Sequence, residues 1–277
     1  MIVNVAVDAH GGQVETRTTA AGEPLLVIQT ALAADELTPL ATSSVLTGRC
    51  RTIELRRRGY NSSSPARRPG SVAGDAADCL AVLRTLDGVP AHVVGVSYSA
   101  AVALELAASA PQAVATLTLM EPPPLVGVPD EGFLEANRHL VHLARQSGVT
   151  AALDEFSAAL GTQPWSEERQ QLDPTEVAAI ERDAVTFFEQ DLPALLGWRF
   201  EAIRASTITA PVLYIGGAQS HPWFIEVARV ARGLFPGGEH HLITGAGHSV
   251  ASTHTTEVAE LVADFIARHP FTRGATS

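Results

Sequence analysis

His92-Val93-Val94-Gly95-Val96-Ser97-Tyr98-Ser99-Ala100, continuing into Ala101-Val102-Ala103-Leu104-Glu105-Leu106-Ala107, is the stretch whose reading decides the fold. A short apolar run closes at Gly95, one serine follows after a single residue, and an alanine-rich helical pattern begins at once. A serine on such a tight strand-to-helix turn has its hydroxyl forced out above the edge of the sheet, as in a nucleophile elbow. Gly95 lets the chain turn close to the serine. The residue two after the serine must also be small, because strand and helix approach each other there, and Ser99 meets that need where glycine is usual. The plain alternative is a serine in an ordinary loop, since Gly-x-Ser-x-small also arises by chance; the flanking strand and helix favour the elbow.

Around this turn the chain alternates strands with helices. Residues 2–7 and 13–19 alternate in polarity about His10-Gly11-Gly12 and predict an edge hairpin. Leu25-Leu26-Val27-Ile28 is an unbroken apolar strand of the kind buried on both faces. A helix is expected over 33–44, a strand over 51–55 and a helix over 71–86, ahead of the elbow strand. Beyond Pro111 come the apolar strand 114–120, strands at 211–215 and 240–243, and helices at 224–234 and 257–269. Between 121 and 206 only helical patterns occur, near 130–147, 149–160, 174–190 and 192–203, so this stretch reads as an insertion. Arg56-Arg57-Arg58 is expected to make internal salt bridges rather than to bind phosphate. The fold class is α/β: a mainly parallel, twisted sheet with helices on both faces and an inserted helical lid. The expected core is 1–121 with 206–277, and the lid is 122–205.

Composition narrows the function. The 277 residues are 46% hydrophobic and 18% charged, the profile of a soluble globular protein. A formal net charge of -11 argues against nucleic acid or an anionic membrane as partner, and 5% aromatic content disfavours base-stacking platforms. Cys50 and Cys79 both lie in apolar-patterned segments and read as reduced core residues, with no metal-ligand spacing. Met1-Ile2-Val3-Asn4 has no basic leader, and no apolar run is long enough to span a membrane, so a cytoplasmic location is expected.

A serine nucleophile needs a base. His248, in Gly245-Ala246-Gly247-His248-Ser249, follows the last strand and precedes the last helix, at the same sheet edge as the elbow. His221 shares that edge and is the rival, whereas His240 and His241 open their strand at the opposite edge. With an elbow serine, a late Gly-x-Gly-His loop and a helical lid, the chain resembles the α/β-hydrolase family over nearly its whole length. The resemblance implies a nucleophilic Ser97 and a general base at His248.

The third member departs from the family pattern. After Pro211–Ile215 the chain reads Gly216-Gly217-Ala218-Gln219-Ser220-His221-Pro222, and Ser220 stands where the family commonly places an aspartate. Glu121, at the end of the strand after the elbow helix, occupies a second position from which an acid can come. In this it is similar to haloalkane dehalogenases and zearalenone-type lactone hydrolases. The plain alternative for Glu121-Pro122 is a strand terminator with an exposed carboxylate. The oxyanion hole would use the backbone N–H groups of Tyr98 and of Ala31, within Gln29-Thr30-Ala31-Leu32, where relatives often carry His-Gly.

The expected reaction is hydrolysis of a carboxylic ester or lactone of a medium-sized, largely apolar small molecule through an acyl-Ser97 intermediate, without metal or organic cofactor. Gln29, Thr30, Trp223 and Trp198 are expected at the substrate. A homodimer is left open. The missing aspartate keeps a second reading, a ligand-binding or lyase- or isomerase-like relative with a weakened triad.

Overall fold

The fold is described from a computed structural model, over residues 3–271 except Ala20, Ala33, Ala66 and Arg68. Eight strands, β1 (Val3–Ala9), β2 (Gly12–Thr18), β3 (Glu23–Ile28), β4 (Cys50–Leu55), β5 (Ala91–Val96), β6 (Val114–Met120), β7 (Val212–Gly217) and β8 (Glu239–Ile243), form one sheet. Their order is β1-β2-β4-β3-β5-β6-β7-β8. The β1–β2 hairpin is antiparallel, and β2 lies antiparallel to β4; every pairing from β4 to β8 is parallel. The strands that pair in parallel at the centre are predominantly apolar because both their faces are covered, and their polar members His92, Thr116 and Thr118 are buried too.

One face carries helices Val72–Thr85, Tyr98–Ser109 and Pro222–Leu234; their apolar residues join Leu26, Ile28, Val93 and Leu117 in one core cluster. Alanines in Tyr98–Ser109 let it lie close against the sheet, and residues 98–107 are all buried. The other face packs helix Thr255–Arg268 and the short turns Thr38–Ala41 and Ser44–Thr47 against Leu25, Val27, Val94, Val96 and Ile215. Cys50 and Cys79 are free and buried. Among the described residues no helix is long and apolar enough to cross a membrane.

Register sets the level of the loops that matter. Val96 pairs with Met120, Met120 with Ile215, and Gly217 with Ile243. The chain therefore leaves β5, β6, β7 and β8 at one edge of the sheet, with Ser97 and Glu121 side by side at the ends of adjacent strands.

The elements differ from expectation where tertiary contacts compete with local pattern. Instead of one helix over 33–44, whose first residue lies outside the described ones, the chain forms two short turns. The segment ahead of them is held as a loop: Leu32 adopts φ +72° and its N–H donates to the Tyr60 hydroxyl at 3.0 Å, while the Ala34 N–H donates to Asp183 at 3.4 Å. Between β6 and β7 run helices Glu131–Ser147, Val149–Leu160 and Pro174–Thr186, the last continuing as a π-helical turn over Phe187–Asp191. The helix expected over 192–203 is two pieces, Leu192–Leu196 and Ala202–Ala205, because Phe200 is drawn into a bridge with Val126. The helices from 131 to 196 share their own apolar cluster, built on Leu140, Leu153, Trp165, Phe187, Phe188 and Leu192.

Candidate functional site

Ser97 is held in a backbone conformation that few residues accept, φ +49° and ψ −118°. Such a conformation persists only where the surroundings over-determine it, and here they do. A Cβ on Gly95 would lie 2.3 Å from the Ser99 carbonyl oxygen, so no larger residue fits under the turn. Ser99 is small enough for the contact and also fastens it. Its hydroxyl accepts from the Val96 N–H at 2.8 Å and donates to the Val96 carbonyl at 3.0 Å. The Ser97 N–H donates to the Met120 carbonyl at 2.9 Å, which ties the turn to β6.

The Ser97 hydroxyl lies 3.1 Å from His248 Nε2, and His248 Nδ1 lies 2.6 Å from Glu121 Oε2. An ionised carboxylate only accepts, so the proton between these two sits on Nδ1, leaving Nε2 to accept from the serine hydroxyl. Glu121 is 1% exposed, and its other oxygen is also occupied: Oε1 accepts from the Gly217 N–H at 2.7 Å and from the Ser220 hydroxyl at 2.5 Å. Ser220, at the position where the family commonly places an aspartate, thus donates to the Glu121 carboxylate at the end of β6. Gly217 also lets the β8 loop approach. A Cβ there would come within 2.4 Å of the carbonyl oxygens of Ala246 and Gly247, the residues leading to His248. Phe224 stacks on the imidazole, with centroids 3.9 Å apart and planes at 22°. His221 stands outside this arrangement; its ring caps helix Pro222–Leu234 by accepting from the Trp223 N–H.

A cavity of about 310 Å³ opens over these groups. Its wall includes Ser97, His248, Thr30, Ala31, Tyr98 and Trp223, with Phe133, Leu140, Phe156, Phe187, Leu192 and Leu195 from the helices between β6 and β7. Among the described residues, the N–H groups of Ala31 and Tyr98 donate to no protein acceptor, and both residues border the cavity beside Ser97. The Thr30 hydroxyl is spent on the Val96 carbonyl at 2.8 Å, which holds this loop against the end of β5.

Two residues expected at the substrate lie elsewhere. Gln29 is buried behind the cavity wall, where its Oε1 accepts from the Arg57 N–H at 3.1 Å and its amide donates to the Thr30 carbonyl. Trp198 stacks on Phe200 in the core and donates to Glu105 at 3.1 Å. Both carry polar groups satisfied by other residues, so neither is free to meet a ligand.

The three arginines form salt bridges: Arg56 with Glu54 and Asp35, Arg58 with Asp78, and Arg57 with Asp75 and Asp191. Arg57 is the hub. Its guanidinium donates to both Asp191 oxygens at 2.9 and 2.6 Å, to Asp75 at 3.0 Å, and to the carbonyls of Gln29 and Thr30 at 3.0 and 3.3 Å. It lies 4.2 Å from the Tyr98 ring centroid, and the Tyr98 hydroxyl donates to Asp75 at 3.0 Å. Burial works against its charge most strongly, but Asp191, Asp75 and Tyr60 together outweigh it and hold the guanidinium protonated beyond its ordinary range. The hub joins the loop of Ala31, the residue after Ser97 and the π-helical turn. Asp191 is 134 residues away in sequence and carries no local signal of this pairing.

Sequence reasoning also passed over Glu36, a cavity-lining carboxyl whose pKa burial raises, with His248 partly offsetting the rise. Among the described residues no group of His, Cys, Asp and Glu could hold a metal ion.

The profile of the Alpha/beta hydrolase family matches residues 30–261. Among curated protein sequences none matches. Of solved structures, the chain is similar to an esterase from Exiguobacterium antarcticum, with 16% identity, a TM-score of 0.79, and coverage of 96% of this chain and 100% of that one. An enol-lactonase from Burkholderia xenovorans LB400 is similar at 17% identity and TM-score 0.74, covering 96% and 100%. Naproxen esterase from Bacillus subtilis is similar at 18% and 0.74, covering 96% and 92%. With its sheet order, its elbow and a profile that spans most of its length, the chain belongs to the α/β-hydrolase family.

Proposed function

We propose that the protein is a serine hydrolase that cleaves a carboxylic ester or lactone through an acyl-Ser97 intermediate. The observation that carries this reading is the relay from Ser97 Oγ to His248 Nε2 at 3.1 Å and from His248 Nδ1 to Glu121 at 2.6 Å, at the floor of a largely apolar cavity. His248 takes the hydroxyl proton as Ser97 attacks the carbonyl carbon. The tetrahedral oxyanion is met by the N–H groups of Tyr98 and Ala31. Collapse expels the alcohol, which leaves with the proton held on Nε2, and a water activated by the same nitrogen then hydrolyses the acyl-serine. Glu121 keeps the imidazole in the productive tautomer and balances its charge once protonated.

Residues 122–205 act as a lid on a core of 1–121 and 206–277. The volume of about 310 Å³ suits a small or medium-sized substrate. A non-hydrolytic relative drew its motive from the missing carboxylate at Ser220; with Glu121 in reach of His248, hydrolysis is the better reading. It is tested with p-nitrophenyl butyrate and a fluorophosphonate. Turnover, and a mass adduct on Ser97 that is absent from Ser97→Ala, are expected. Failure of the wild-type protein both to hydrolyse the ester and to take the label rejects the proposal.

A further inference from the structure

The cavity has two chemically different ends. The helices between β6 and β7 supply Phe133, Leu140, Phe156, Phe187, Leu192 and Leu195, an apolar wall. Beside His248 the lining is instead Glu36, Ser249 and Ser252. These three are brought together because the turn Thr38–Ala41 packs against the turn Val250–Thr253, with Leu37, Leu40 and Ala41 sharing a core cluster with Val250 and Ala251. Among the described residues the Glu36 carboxyl has no hydrogen-bond or ion-pair partner, and the Ser249 hydroxyl has none either. The Ser252 hydroxyl donates to the Ser249 carbonyl at 3.1 Å, which leaves its oxygen free to accept. Ser252 is exposed, as is Ala159 on the helical wall of the same cavity.

Glu36 and Ser249 are half-buried, so the polar atoms that no protein group engages stand open to the cavity and are available to a bound substrate. The chemistry fixes which part of a substrate lies against them. The leaving oxygen must take its proton from His248 Nε2, so the alcohol portion of an ester is placed on the His248 side and the acyl portion on the other. We propose that Glu36, Ser249 and Ser252 form a subsite for the alcohol portion, selecting esters whose alcohol carries a further free hydroxyl, while the apolar wall takes the acyl chain. Glu36 is the determinant, since its carboxyl can accept from such a hydroxyl and, when protonated, donate to it. The bond to the alcohol is made before cleavage and released when the alcohol departs. This inference rests on the ester-hydrolysis reading above.

The test compares 1-monobutyrin with butyl butyrate, two esters of the same acid whose alcohols differ in hydroxyls, in wild type, Glu36→Gln and Glu36→Leu. The monobutyrin-to-butyl-butyrate ratio of kcat/KM is expected to fall about tenfold in Glu36→Leu, the worth of one good hydrogen bond. It should fall less in Glu36→Gln, whose amide oxygen still accepts. A ratio that stays constant while both rates fall together overturns the subsite. So does a wild-type preference for butyrylcholine over monobutyrin that Glu36→Gln abolishes, since that marks a cation site. Calorimetry of the two esters on Ser97→Ala separates this inference from the reaction. Tighter binding of monobutyrin, lost with Glu36→Leu, sustains the subsite even if wild type hydrolyses neither ester. Equal binding of both esters rejects it.

Discussion

Replacing Arg57 by methionine should reveal how far the loops around the cavity depend on the buried ion cluster behind them. The substitution keeps much of the side-chain volume but removes the cation from between the buried Asp191 carboxylate and the half-buried Asp75 carboxylate. Lost are the paired contacts to Asp191 at 2.9 and 2.6 Å, the contact to Asp75 at 3.0 Å, and two bonds to the carbonyls of Gln29 and Thr30. Removing one partner of a buried pair leaves the other charge uncompensated, at a cost of about 3–5 kcal/mol. The cost should depend on pH with a definite sign. Burial holds the Asp75 carboxyl above its ordinary range and Arg57 pulls it back down, so without Arg57 it rises further. A carboxyl whose folded pKa exceeds its unfolded value contributes stability that is present at acid pH and lost as pH rises through the folded pKa. Urea unfolding of wild type and Arg57→Met at about pH 5 and pH 8 should therefore give a deficit that is larger at the higher pH. Adding Asp191→Asn to Arg57→Met should cost less than the two single changes summed. A deficit under about 1 kcal/mol, or one equal at both pH values, would refute this account of the cluster.

Three further variants probe single contacts. Ser220→Ala removes the 2.5 Å bond to Glu121 Oε1 and should lower kcat for p-nitrophenyl butyrate about tenfold with little change in KM. Gly95→Ala places a Cβ 2.3 Å from the Ser99 carbonyl oxygen; chemical denaturation should show a loss of about 3 kcal/mol or more, or no soluble protein at all. Trp198→Phe deletes the donor to Glu105 at 3.1 Å and should cost about 1–3 kcal/mol of stability, while KM moves by less than about twofold because the ring is not at the cavity.

The parts of the fold that could be read from sequence are those where local pattern and tertiary demand agree. Leu25–Ile28 of β3 is apolar without alternation because the strand is covered on both faces, and β5 and β6 are mostly apolar for the same reason, with only His92, Thr116 and Thr118 as polar members; the Gly95-Val96-Ser97 turn follows from the closeness of strand and helix. Glu121 could be singled out because it ends the strand after the elbow helix, a position from which the resemblance to the α/β-hydrolase family allows an acid to come, and because Ser220 stands where a carboxylate is usual after β7. The direction a side chain takes within a loop has no such signature. Gln29 and Thr30 are neighbours, yet the Gln29 side chain is held behind the cavity wall by Arg57 while Thr30 borders the cavity. Trp198 follows a helix whose Leu195 faces the cavity, but Glu105 and Phe200 draw its ring into the core. Arg57 pairs with Asp191 across the whole helical segment, and Glu36 reaches the cavity only because its loop is denied a helical course. Long-range polar partners decide each of these cases, and none of them alters the local periodicity.

The central claim is that the acid partner of His248 comes from the end of β6. It is tested most directly by kcat of Glu121→Gln on p-nitrophenyl butyrate, in protein whose unfolding midpoint is first measured against wild type. Glutamine keeps the shape but cannot hold the Nδ1 proton and its charge, and loss of a triad acid lowers kcat by up to about 10⁴-fold. A drop of several hundred-fold or more with KM nearly constant is the expected result. A kcat within about threefold of wild type would contradict the claim.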